Sequence, residues 1–387
     1  MFPILDFSFN PKLNADYLSK NISLCKVTCK ISFFSLRLSA VKNLLFNHRG
    51  TENTESRDWN FLMQIFTQLE KASPKHKLIG DKNMGSQYFD IKPVAGRIGA
   101  EIIGVNLSSN LSDDIISDIR KTLVKHKAIF FRDQQQLDAD GQVAFARRFG
   151  KLTTAHPTVP SLPENPEVLD LNYGRTTSRA NNWHTDVTFV DSPPLGSILR
   201  ALDIPPTGGD TIWANSVTAY QDLPTHLRNL ADQLWAVHSN AYDYATGFDL
   251  PEDVKAQRAV FTSTVYETLH PVVRIHPESG ERGLFIGGFV RQFRGLSTTE
   301  SDDILRLLQA YITRPENTVR WRWQVGDVAF WDNRATQHYA IADYENQPRR
   351  VQRVTIVGDL PVGIDGKQSE AIKGDASKYN RREAVTA

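Results

Sequence analysis

Several things are scarce in this chain of 387 residues, and each scarcity excludes something. Only two cysteines occur, Cys25 and Cys29, both near the N-terminus. That rules out a disulfide framework and makes a reducing compartment the default. Spaced C-x-x-x-C with no second pair, they also fall short of a zinc site. No apolar run approaches the ~18 residues of a membrane span. Net charge is nearly absent: 45 Lys and Arg balance 44 Asp and Glu to within one unit. Non-specific nucleic-acid binding driven by charge is thereby excluded. The remaining composition, 40% hydrophobic and 23% charged, is that of a chain able to bury an ordinary core.

One absence is local. From Tyr17 to Thr51 there is no Asp or Glu, while Lys20, Lys26, Lys30, Arg37, Lys42 and Arg49 supply positive charge. Acid-free, Ser-bearing basic leaders target organelles. Asp6 and Asp16 precede the stretch, and Lys outnumbers Arg. Three readings stay open: a targeting leader, translation from an upstream start with Met84 as the true one, or a structured extension. The organisation read from composition is an N-terminal extension over 1–86, a main domain over 87–363 and a polar tail over 364–387, with a frayed end past Gly366. The location is cytoplasmic, or mitochondrial if the leader is real.

In the main domain the strand signals outnumber the helical ones. Short strands surround Gly96, Gly99 and Gly104. Ser112 caps a helix with Ile115, Ile116, Ile119 and Leu123 on one face. AIFFR at 128–132 reads as a buried strand, followed by a helix from Ala139 to Phe149. SILRAL and TIWAN are strands joined through the turn TGGDT, and Thr211 opens the second. A helix is expected over 224–234. Residues 240–266 read as an excursion of the lid type. HPVVRIH, RGLFIGGFV, VRWRW, VAFW and VTIVGD give further strands, with a helix over 299–312. The expected fold is mainly β with flanking helices, around a double-stranded β-helix (jelly-roll) core.

The stretch with most chemistry is NNWHTDVTFVD, residues 181–191. Read as a strand, it puts His184 and Asp186 on one face. One more histidine would complete the two-His-one-carboxylate triad of non-heme Fe(II) oxygenases. Alone, His-x-Asp is a weak signal that a solvated strand explains as well. The flanking Trp183, Val187 and Phe189 place it in apolar surroundings, where an ionised Asp needs a metal or a charge partner. His338 sits in a compact polar loop, and a barrel mouth would let it meet the other two. His156 lies in a proline-rich loop, where substrate contacts gather but where most histidines are simply solvated. Arg349 and Arg353, four apart, border the Val-rich VTIVGD; buried arginines there would need carboxylate or sulfate partners.

Taken together in this order, NNWHTDVTF, TGGDTIWAN, LHPVVRIHP, WRWQVGDVAFWDNRATQHYA and RRVQRVTIVGD resemble the taurine dioxygenase family of Fe(II)/2-oxoglutarate-dependent oxygenases, over about Tyr88 to Gly363. The resemblance implies that His184, Asp186 and His338 bind Fe(2+). It implies that Thr211 and Arg349 hold 2-oxoglutarate, Arg349 through its distal carboxylate. Arg353 would stand between cofactor and substrate, with His156 and Val187 contacting substrate. O2 is the oxidant, and succinate and CO2 are co-products.

Two departures bear on the substrate. Taurine dioxygenases carry a tyrosine where this chain has Val159 and an asparagine where it has Ala180. Losing both removes polar groups that recognise taurine and leaves an anion site in a more apolar pocket. KPVAGRIGAEI, AHPTVP, VFTSTVYET and ENTVRWRWQ most resemble the alkylsulfatase-type members. The implied reaction oxidises an alkyl sulfate ester at the carbon bearing the sulfate, releasing aldehyde and inorganic sulfate. The partners are thus a small organosulfur substrate and, as in relatives, further copies of the chain, with no nucleic acid or membrane. The alternatives are a taurine, alkylsulfonate or phenoxyacetate dioxygenase, a catalytically silent binding protein, and a structural zinc site, which would want four protein ligands.

Overall fold

The buried run AIFF becomes a central strand. In the computed structural model, which describes residues 86–172, 180–241, 252–345 and 347–381, all four of its residues are enclosed. It is β3 (Ala128–Phe131) of a seven-stranded sheet. The others are β1 (Asp90–Pro93), β2 (Ala100–Ile103), β4 (Val168–Asn172), β5 (Gly196–Asp203), β13 (Val328–Asp332) and β15 (Arg350–Ile356). Their order is β1-β2-β3-β13-β5-β15-β4. Every pairing is antiparallel except β2 on β3. Burial on both faces explains why the central strands β3 and β13 read as apolar runs.

Three smaller sheets complete the strands. β6 (Thr211–Asn215) lies between β12 (Thr318–Trp321) and β14 (Thr336–Ala340). β7 (Trp235–Ser239) and β8 (Glu267–Pro271) lie between β11 (Val290–Phe293) and β17 (Glu370–Lys373). β9 (Val273–Ile275) joins β10 (Arg282–Leu284) and β16 (Val362–Gly363). The sheet-rich architecture with peripheral helices is as expected. Among the described residues no helix is long and apolar enough to cross a membrane.

Four of the helices start where capping chemistry says they should. Ser112 accepts from the Ile115 amide at the head of α1 (Asp113–His126), whose first turn carries Asp113 and Asp114. Its last turn carries Lys125 and His126, so both ends complement the helix dipole. Ile116, Ile119 and Leu123 are its buried side, packed with Ile129 and Phe131 of the large sheet. Asp138 caps α2 (Ala139–Arg147), which lies against β5 and β15. The short α3 (Ser216–Gln221) and α4 (Thr225–Ala231) come after β6. α5 (Glu252–Phe261) occupies the expected excursion, and residues 242–251 of it lie outside the described set. α6 (Thr298–Ile312) opens with a capping box between Ser297 and Glu300.

Two expectations are corrected. Residues 181–191 do not form a strand: His184 makes a single bridge and the chain then turns through Asp186–Phe189. Val187, with φ of 52°, reverses the backbone in the left-handed region. The segment past Gly366 is not frayed as far as Arg381. β17 pairs with β8, and Tyr379 and Asn380 are buried. Its polarity is that of an edge strand, exposed along its length, followed by an apolar anchor. The leader, with Cys25 and Cys29, lies outside the described residues.

Gly358 comes just after β15, where the chain passes the Pro193–Leu195 turn that feeds β5. A Cβ there would meet the Pro193 carbonyl oxygen at 1.9 Å and the Leu195 nitrogen at 2.7 Å. Both are backbone atoms and neither can swing aside. Gly358→Ala is expected to cost about 3 kcal/mol of folding stability, read as a lower urea midpoint with an unchanged slope. A midpoint equal to wild type would show that this turn is not closed on the chain leaving β15.

Candidate metal centre

His338, expected in a compact polar loop, instead sits in the middle of β14, opposite Trp213 of β6, because this polar segment is paired in the sheet. His184 approaches from outside the sheet and exchanges both backbone hydrogen bonds with it, His184 N to His338 O at 3.1 Å and His338 N to His184 O at 2.7 Å. A close pair of this kind brings side chains together, and the two imidazole centroids are 4.1 Å apart. The turn at Val187 then folds Asp186 back. Its Oδ1 lies 3.9 Å from His184 Nε2 and 3.8 Å from His338 Nε2. The three donor atoms fall within 4.8 Å of one another, and all three residues are buried.

The donor chemistry fits a divalent cation. His184 Nδ1 is 2.7 Å from the Asn182 carbonyl oxygen. A carbonyl only accepts, so the proton is on Nδ1 and the Nε2 lone pair faces Asp186. Burial pushes the His184 imidazole below its usual range and His338 well below it, so both rings are neutral. Burial alone would raise the Asp186 carboxyl. The Arg353 guanidinium and a hydrogen bond from Ser197 outweigh it and hold the group below the ordinary carboxylate range. Two neutral imidazoles and one carboxylate are the donor set suited to non-heme Fe(II), with positions left for other ligands. A fourth protein ligand, which structural zinc prefers, is not found with them among the described residues.

Asp186 is held from both sides. Ser197 Oγ, on β5, donates to Oδ2 at 2.8 Å. Arg353, on β15, donates through Nη1 to Oδ1. Arg353 stands opposite Leu199 of β5 and Leu169 of β4, so the seven-stranded sheet carries it to the same point.

Thr211 and Arg349 are both placed by the turn through Gly209, which Arg349 binds and from which Thr211 follows two residues on. Thr211 Oγ1 accepts from Trp323 Nε1 at 2.9 Å. Arg349, 2% exposed, donates through Nε to the Gly209 carbonyl at 2.9 Å. Gly209 has φ of +69°, and a Cβ there would sit 3.1 Å from Arg349 Cδ, so this turn needs glycine. Arg349 lies one residue before β15, not within it.

A cavity of about 440 Å³ opens beside Asp186 and His184. His156, Val187 and Arg353 share its metal end. Leu169 and Leu171 of β4, Val260 and Phe261 of α5, and Phe289 form apolar wall. Val159 and Ala180, the two departures singled out in the sequence, both line it. Thr211 and Arg349 do not. His156 Nδ1 receives the amides of Thr158 at 3.2 Å and Val159 at 3.1 Å. Its proton therefore resides on Nε2. Burial, with Arg353 adding to it, lowers the imidazole to about 3, leaving a neutral N–H donor.

Sequence reasoning missed Ser197, the pairing of Arg353 with Asp186, and Phe289. A lone Ser in a strand and an Arg four residues past another carry no signal of a contact so distant in the chain. The sequence marks residues 240–266 as an excursion from the sheet, but not that its Phe261 lines the cavity.

The taurine catabolism dioxygenase TauD, TfdA family matches residues 90–355. An alpha-ketoglutarate-dependent sulfate ester dioxygenase of Pseudomonas putida is 55% identical over 288 residues, covering 74% of this chain and 95% of that protein. An alkylsulfatase of Acinetobacter baylyi is 49% identical over 283 residues, covering 73% and 89%. The crystal structure of a taurine dioxygenase from Burkholderia xenovorans superposes with a TM-score of 0.63 at 40% identity, covering 76% of this chain and 99% of that one.

The ligand set and the buried histidines each make a measurable claim. His338→Ala is expected to abolish tight binding of Mn(II), followed by paramagnetic relaxation of water, while far-UV circular dichroism is retained; unchanged affinity would remove His338 from the ligand set. The second claim concerns acid. His270 is fully enclosed, and burial lowers it to about 3. The unfolded chain takes up a proton below about pH 6.5 that the folded one refuses, so stability present above 6.5 is lost as the pH falls. The loss is on the order of 1.4 kcal/mol per pH unit for this group, with His184, His238 and His338 shifted in the same direction. Chemical denaturation of the metal-free protein at pH 7, 6 and 5 measures it, and a flat profile would contradict it.

Proposed function

The chain belongs to the taurine catabolism dioxygenase TauD, TfdA family, and from that membership we propose that it cleaves alkyl sulfate esters to an aldehyde and inorganic sulfate. It is a 2-oxoglutarate-dependent dioxygenase using Fe(II) and O2. The observation that carries the substrate is the composition of the cavity. Its metal end offers a neutral N–H from His156 and the guanidinium of Arg353, and Leu169, Leu171, Val260, Phe261 and Phe289 supply apolar wall, with Asp170, Asn172 and Gln257 as further polar members of the lining. With Val159 and Ala180 in the wall, an alkyl chain is better matched than an ammonium group. The names of the Pseudomonas and Acinetobacter relatives support the same substrate class.

His184, Asp186 and His338 are the residues that would hold the iron. Thr211 and Arg349 would hold 2-oxoglutarate, with the planar guanidinium of Arg349 gripping the distal carboxylate in a way that Lys does not reproduce. The seven-stranded sheet and the β12-β6-β14 sheet are read as the faces of a jelly roll. Iron with its co-substrate supplies the oxidising power for one hydroxylation per O2, the second oxygen atom leaving in succinate.

The protein's own work is placement. His156 and Arg353 take the sulfate, which sets the adjacent CH2 beside the metal end of the cavity. The apolar wall takes the chain and keeps water from the reacting carbon. Once that carbon bears a hydroxyl, its bond to the sulfate oxygen breaks: the hydroxyl proton is released, the carbonyl forms, and sulfate departs with the electron pair. Arg353 is positioned to receive the charge that develops on the leaving sulfate.

A coupled assay of succinate and sulfate release over alkyl sulfates, taurine and phenoxyacids tests this. Alkyl sulfates are expected to give both products in equal amounts. Turnover of taurine in their place would show that Val159 and Ala180 do not govern selection. Arg349→Lys is expected to raise the 2-oxoglutarate requirement by roughly one to two orders of magnitude with iron content unchanged. An unaltered requirement would exclude Arg349 from the co-substrate site.

A further inference from the structure

The C-terminal segment lies past residue 355, where the family match ends. It nevertheless touches the site's supports at two points. β17 pairs antiparallel with β8. Just before it, Ser369 Oγ lies 2.6 Å from His270 Nδ1, and His270 Nε2 lies 2.7 Å from the Thr188 carbonyl oxygen. Thr188 belongs to the turn that presents Asp186 and Val187. β8 holds that turn again through Thr268 Oγ1, which donates to the Phe189 carbonyl at 2.9 Å.

The second point is Tyr379. Its carbonyl accepts from the Thr154 amide at 3.0 Å, two residues before His156. Its ring is 3% exposed and packs in one cluster with Val187, Phe189, Phe261 and Phe289, against Val159. Arg381 anchors the end through an ion pair with Glu167 at 3.0 Å, immediately before β4.

We propose that residues 369–381 are a positioning strap for the substrate site: Ser369 orients His270 and through it the Asp186–Val187 turn, while Tyr379 fixes the loop carrying His156. His270 accounts for the direction of the first link. A carbonyl cannot donate, so Nε2 carries the proton and Nδ1 must accept; the Ser369 hydroxyl supplies its one proton there and not to the Pro361 carbonyl at 3.1 Å. Burial keeps His270 neutral, which leaves it a single proton and so this one arrangement. The second link rests on shape. Removing the Tyr379 ring would open a space in the cluster that includes Val187 and against which Val159 packs, and both valines line the cavity.

The effect on turnover rests on the alkyl sulfate reading, whereas the effect on the loops does not. Hydrogen–deuterium exchange of the full chain therefore comes first. Tyr379→Ala is expected to speed amide exchange over residues 153–159 by roughly tenfold, and Ser369→Ala over 185–190, with the remaining domain near wild type. Tyr379→Phe and Ser369→Thr, which keep the ring and the hydroxyl, should restore protection. With hexyl sulfate, the two alanine variants should raise KM roughly tenfold and change kcat much less. Exchange that is unchanged, or that rises evenly across the whole domain, overturns the strap. A wild-type enzyme inert toward hexyl sulfate and other alkyl sulfates overturns the substrate reading instead, and the exchange result still decides the strap.

Discussion

Everything at this centre depends on one reciprocal pair of backbone hydrogen bonds, His184 with His338. The two residues come from segments far apart in the chain. Nothing in side-chain chemistry alone would bring two neutral imidazoles and a carboxylate into one buried pocket, since desolvation opposes it. Backbone pairing does so at little cost, because each amide needs a partner in any case. Once His184 is docked on β14, the left-handed turn at Val187 decides where Asp186 goes. The site is thus assembled by a single rung of sheet and one reversal.

That construction explains why the sequence discloses the ligands and misleads about their setting. The spacing of His184 and Asp186 suggests i and i+2 on one face of a strand. They do converge, but across a turn, because β-pairing stops after one residue. The long-range partner, His338, is visible through the resemblance, not through any local period, and it lies in strand β14, not in the loop its polar neighbours suggest. Elements with a strong local signature are readable: the Ser112 cap, the AIFF strand, the Thr211 start of β6. The C-terminal segment is not. An edge strand exposed along its length has the composition of a tail, and Tyr379, the anchor beyond it, is one residue among polar neighbours.

Arg353 joins the candidate metal centre to the cavity beside it. It is bonded to Asp186 and also lines the cavity. Asp170, the other acid on that wall, is matched by Arg350 at 3.0 Å. The large sheet supplies both arginines from one strand, β15, at an odd spacing, and alternate residues of a strand face opposite ways. Arg353 thereby points inward while Arg350 pairs at the strand's end.

The ion pair between Arg353 and Asp186 has a consequence for electroneutrality. On the proposed reading, two guanidinium groups and a ferrous ion face one carboxylate, an excess of three positive charges. A 2-oxoglutarate dianion and one alkyl sulfate monoanion cancel that excess. Each anion would therefore lower the cost of enclosing the other in a medium that screens poorly. Selectivity for a singly charged head group is then a matter of charge parity as much as of shape: an uncharged ester would leave one cation stranded, and a doubly charged one would overshoot.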